Sequence, residues 1–147
     1  MENIGFIMRE VCCIPAFIWL AWQDKKYMGI SRTGLVLTSA MIMGAGFFAG
    51  TSWQSRLGGM AVGILLLVFG LFSNGAMGLA DAVIIMACGI AFGLYETVAL
   101  SFFGALYAGV FSGILLLAKK VKRKSRIPFL PFLLLGYVTM RILVCTV

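Results

Sequence analysis

Asp24 and Asp81 are the residues of this sequence whose type and placement point to chemistry. They are the only aspartates among five acidic side chains, the others being Glu2, Glu10 and Glu96. Histidine is absent, so neither a Ser-His nor a Cys-His nucleophile system can be assembled. Two carboxylates held a few ångströms apart keep one route to amide hydrolysis. They share a proton, the ionised member drawing a proton from water while the protonated member polarises the carbonyl under attack. Each aspartate also has a plain structural reading. Asp24 beside Lys25 and Lys26 would be a solvated interfacial group, and Asp81 an acid favoured by the positive end of its helix.

The elements that must position these carboxylates are membrane helices. Of 147 residues, 62% are apolar and 12% charged, with a mean hydropathy of +1.06, more apolar surface than a water-soluble domain of this size can cover. Apolar runs set six expected spans: Ile4 to Trp22, Gly34 to Gly50, Leu57 to Phe72, Leu79 to Leu94, Thr97 to Ala118 and Phe129 to Val147. The expected architecture is thus an all-α polytopic bundle forming a single membrane-embedded domain over residues 1–147. The third and fourth spans are short, at about 16 residues or roughly 24 Å each. The first is expected to be a retained helix rather than a cleaved signal, because no basic stretch precedes it.

Basic residues orient the bundle. Lys25, Lys26 and Arg32 follow span one, and Lys119, Lys120, Lys122, Arg123, Lys124 and Arg126 follow span five, whereas Arg9, Arg56 and Arg141 fall on or toward the other side. The positive-inside rule then places both termini outside, and it assigns the net charge of +7 to cytoplasmic loops beside anionic lipid, so the expected partner is the bilayer and not nucleic acid. In this topology Asp24 closes span one and Asp81 opens span four at the same cytoplasmic level. Glu96 is expected in the outer turn between spans four and five, and Glu10 is expected to pair with Arg9 or Arg141.

Glycines four residues apart, at Gly46/Gly50, Gly59/Gly63, Gly89/Gly93 and Gly109/Gly113, are expected to let helices approach closely. Cys12, Cys13, Cys88 and Cys145 lie in apolar stretches without a Cys-x-x-Cys spacing, so neither a metal nor another cofactor is expected. Asp24 sits near a helix C-terminus and Asp81 near an N-terminus, an arrangement that assigns the resting proton to Asp24.

Three segments resemble the type IV prepilin peptidase family, in particular its short form found with Tad/Flp-type pili. Asp24-Lys25-Lys26-Tyr27-Met28-Gly29-Ile30 is similar to the first aspartate motif. Met77-Gly78-Leu79-Ala80-Asp81 is similar to the glycine-rich second motif, and Arg126-Ile127-Pro128-Phe129-Leu130-Pro131-Phe132 to the start of the last helix. The resemblance implies an aspartyl endopeptidase with Asp24 and Asp81 as its catalytic pair. Gly78, Ala80 and Ile30 would shape the site, and Pro128 and Pro131 would stiffen the start of span six. The substrates it implies are pilin-like precursors with a short basic leader, cut at the cytoplasmic face of the cell membrane. No methyltransferase segment is present, so cleavage without N-methylation is expected. Ser31 and Arg32 depart from the family's Pro-Asn after Ile30, and Val83 from its frequent lysine. The residues alone leave two other readings open: a small proton- or cation-coupled transporter, and a non-catalytic scaffold of a pilus or secretion system. Nothing in the sequence fixes an oligomeric state.

Overall fold

The computed structural model describes residues 2–27, 31–48, 50–72, 78–118 and 129–146. These form six α-helices, and no strand occurs among the described residues: α1 (Glu2–Tyr27), α2 (Arg32–Phe47), α3 (Trp53–Phe72), α4 (Leu79–Phe92), α5 (Leu94–Leu117) and α6 (Leu130–Thr146). Each of the six expected apolar runs coincides with one helix. Two of them, α3 and α5, are long and apolar enough to cross a membrane.

Contacts between helices fix an up-and-down arrangement. Asp24 near the end of α1 meets Leu130 at the start of α6, while Glu10 meets Arg141 farther along both, so α1 and α6 are antiparallel. Ser31 ahead of α2 is bonded to Gln23 of α1, and Gly5 of α1 lies against Phe48 after α2. Ser55 of α3 accepts the Leu94 N–H at 3.0 Å, which puts the start of α3 at the α4–α5 corner. One end of the bundle therefore carries Asp24, Ser31 and the start of α6. The opposite end carries Arg9, Glu10, Arg56, Glu96 and Arg141.

The elements end where the local chemistry dictates. Ser31 is extended at φ −64°, ψ 143°, and its hydroxyl accepts the Gly34 N–H at 3.1 Å, satisfying one of the free donors of α2. Lys25 and Lys26 occupy the last turn of α1, where positive charge complements the helix dipole. The corner between α4 and α5 is a single residue, Gly93, whose φ of +85° suits glycine and strains an L side chain. The expected turn at Glu96 is therefore corrected. The chain reverses at Gly93 because only there is the backbone free to take a positive φ, and Glu96 lies in the first turn of α5.

The 14-residue α4 is the buried centre, with Ile84, Ile85, Ala87, Cys88, Ala91 and Phe92 all enclosed. Its rise of about 21 Å is short for a bilayer, but its apolarity on every side suits a helix surrounded by protein. Glycine lets its neighbours come close: a Cβ on Gly59 of α3 would sit 2.5 Å from the Gly89 carbonyl oxygen, and Gly46 of α2 abuts Ala91. The glycine pattern is only partly a packing pattern among the described residues, since a Cβ added at Gly109 or Gly113 would meet none of them within 4 Å and Gly50 takes a positive φ. Polarity is inverted relative to a soluble domain. Phe72 and Leu117 are 84% and 86% exposed, whereas Arg9 is 3% exposed, the distribution suited to an apolar solvent.

Candidate active site

Asp24 is the third residue before the end of the long first helix α1. It is buried, and its Oδ2 accepts the backbone N–H of Leu130, the first residue of α6, at 3.2 Å. Burial raises its carboxyl above the usual carboxylate range, and the amides of Leu130 and Phe129 pull it back down. The expected assignment of the resting proton to Asp24 weighed only the helix to which each aspartate belongs. Here the positive N-terminus of α6 meets the carboxyl that the C-terminus of α1 disfavours, and its N–H donors favour the anion.

Asp81 lies in the first turn of α4, half-buried, and donates its own N–H to the Gly78 carbonyl at 3.1 Å. Its carboxyl folds back over Gly78, where an added Cβ would come within 2.6 Å of Oδ2. A side chain at Gly78 would displace the Asp81 carboxyl, whereas the φ of −65° suits any residue. With the helices alternating in direction, the end of α1 and the start of α4 lie together, so the fold brings both expected site residues to one end of the bundle. Ala80 is half-buried on the same turn. Ile30 and Pro128 lie outside the described residues, and Pro131 is the second residue of α6.

Among the described residues, no ion pair involves Asp24 or Asp81, and no group of three or more His, Cys, Asp or Glu side chains is placed to hold a metal ion. Two interacting carboxylates without a bonded cation cannot readily both be ionised. A pair holding one proton is the state that acid–base hydrolysis of a peptide bond requires.

The model of the type IV leader peptidase family matches residues 11–117, which contain both aspartates. The chain belongs to the type IV leader peptidase family. The match ends before the segment from Arg126 to Phe132, so the third resembling motif lies outside it. No curated protein and no solved structure matches the chain. Against the leader peptidase pattern, Ser31 stands in place of a proline and supplies a helix cap in its stead: its hydroxyl joins α1 to α2 by accepting from both Gln23 Nε2 and the Gly34 N–H. Val83 is half-buried and brings no charge to the neighbourhood of Asp81.

The backbone amides of Phe129 and Leu130 are not legible as site groups in the sequence. A main-chain donor has no residue type, and the only signal was the similarity of the surrounding Pro-Phe-Leu-Pro-Phe. At the opposite end, Glu10 pairs with both candidate arginines, to Arg9 at 3.4 Å and to Arg141 at 2.9 Å. Glu96 closes the cluster at 3.5 and 3.0 Å from the same two arginines, and the Tyr137 hydroxyl donates to Glu10.

Proposed function

We propose that this family member is an aspartic-type leader peptidase that crosses the cell membrane six times and removes the basic leader of type IV pilin-like precursors at the cytoplasmic face. One observation carries the reading. Asp24, near the end of α1, and Asp81, in the first turn of α4, come from separate helices to a common end of the bundle. Lys25, Lys26 and Arg32 stand exposed at that same end, as befits a cytoplasmic surface. The short-form resemblance supports cleavage without N-methylation.

In this mechanism one carboxylate takes a proton from water as the oxygen attacks the scissile carbonyl, and the protonated partner donates to the carbonyl oxygen. Return of the first proton to the amide nitrogen expels the new N-terminus. The apolar exterior of the bundle suits a substrate whose cleavage site adjoins a hydrophobic helix.

Co-expression with a candidate pilin precursor tests the proposal. The wild type is expected to shorten the precursor, and Asp24→Asn and Asp81→Asn each to abolish shortening while the protein still accumulates in the membrane. A chain that never cleaves favours a scaffold, and proton or cation flux that depends on the same aspartates favours a transporter.

A further inference from the structure

The first turn of α6 has few amide donors to offer. Pro131 has no N–H, and the amides of Phe132 and Leu133 are already bonded to the Phe129 carbonyl at 3.0 and 3.1 Å. The Leu130 N–H is directed at Asp24 Oδ2 instead. Leu130 and Leu133 are themselves enclosed in the core, 1% and 0% exposed, so this turn cannot shift without disturbing the packing. At the far end the same two helices are joined again. Arg141 of α6 lies 2.9 Å from Glu10 of α1, and the rings of Phe17 and Tyr137 are 4.9 Å apart between the two attachments. Helices α1 and α6 are therefore held at both ends, with Asp24 forming the inner attachment.

From this geometry we propose that the N-terminus of α6 is the positioning element that keeps Asp24 ionised, making Asp24 the residue that takes the proton from the attacking water. The assignment rests on the leader peptidase reading above and adds to it the separate role of each aspartate. Water gives its proton to Asp24 as its oxygen bonds to the carbonyl carbon, and Asp81 gives the proton it holds to the carbonyl oxygen. Asp24 then passes its proton to the amide nitrogen, the C–N bond breaks, and the re-forming carbonyl returns a proton to Asp81. The other charged side chains at this end among the described residues are Asp81 of α4, Lys25 and Lys26 of α1 itself, and Arg32 of α2. Helices α5 and α6 bring only uncharged groups, because Glu96 and Arg141 lie at the opposite end.

The test removes the Leu130 N–H and, as an ester, also weakens the Phe129 carbonyl as acceptor for the Phe132 and Leu133 amides. Leu130 is replaced by its α-hydroxy acid, which keeps the side chain and converts the amide to an ester. Two readouts follow: the pH dependence of precursor cleavage, and the infrared carboxyl band of Asp24 in an Asp81→Asn background, isolated by difference from the chain that also carries Asp24→Asn. A hydrogen bond to a charged group corresponds to about one pH unit. The acid limb of cleavage and the Asp24 infrared titration are both expected to move upward by about that amount, since losing the donor disfavours the anion. Should the ester variant not accumulate, Leu130→Pro removes the same donor at a position where a helix tolerates proline. An infrared titration that stays in place overturns the assignment. A wild-type chain that cleaves no precursor overturns the leader peptidase reading instead, and the infrared titration still decides the role of α6.

Discussion

At one end of the bundle, Glu10 and Glu96 are interleaved with Arg9 and Arg141, every contact pairing opposite signs. At the other end, Asp24 and Asp81 come together from separate helices with no ion pair to either among the described residues, and the bond made to Asp24 comes from a backbone amide. Both ends bury acidic groups, at a cost that an apolar surrounding makes high. The first arrangement cancels its charge and needs no proton to do so. The second leaves a surplus of negative charge that one proton relieves. A neutralised cluster can join helices, whereas a dyad with a mobile proton can also exchange it with water. The comparison teaches that burial alone does not mark a reactive carboxylate; the kind of group bonded to it does.

Neutralising one carboxylate at each end gives the largest contrast. Asp24→Asn or Asp81→Asn is expected to lower precursor cleavage by about a thousandfold or more, while Glu10→Gln leaves residual cleavage in proportion to the folded protein that remains. Equal loss from both ends would break the distinction. Removing an arginine should act on stability instead. Arg141→Met leaves Glu10 and Glu96 short of a partner, with an expected loss of about 3–5 kcal/mol, read as a lower midpoint in thermal unfolding in detergent. A smaller effect is expected at Gly78, where a methyl group displaces the Asp81 carboxyl from its resting place. Gly78→Ala should reduce cleavage by about tenfold, the consequence of a side chain forced off its rotamer, with the amount of folded protein unchanged. The smallest belongs to Ser31→Ala, a lost helix cap of about 1 kcal/mol that lowers the unfolding midpoint and leaves cleavage per folded molecule as it was.

The legible part of this molecule is the part written in side-chain type. Apolar runs and their breaks located all six helices, because each run is long enough for several helical turns and is closed by polar or glycine-containing residues. Scarcity singled out Asp24 and Asp81, and Glu10 beside Arg9 announced its pairing. The corner lies at Gly93 and not at Glu96, because the positive φ that decides the matter is a backbone property that residue type alone does not reveal. The α6 amides on Asp24 escaped for the same reason, as they depend on how residues 24 and 130 meet across 106 positions of chain. Helix-dipole reasoning from α1 alone left out the Leu130 N–H that α6 directs at Asp24.

The convergence of Asp24 and Asp81 can be measured without any substrate. In a chain whose four cysteines are replaced by alanine, the pair Asp24→Cys and Asp81→Cys is treated with a short thiol-to-thiol cross-linker in membranes. A control chain pairs Glu10→Cys with Asp81→Cys, residues from opposite ends of the bundle. The account predicts rapid intramolecular linkage of positions 24 and 81, identified by mass spectrometry of the joined peptides, and none between 10 and 81. Linkage of 24 and 81 no faster than that of the control pair would contradict it.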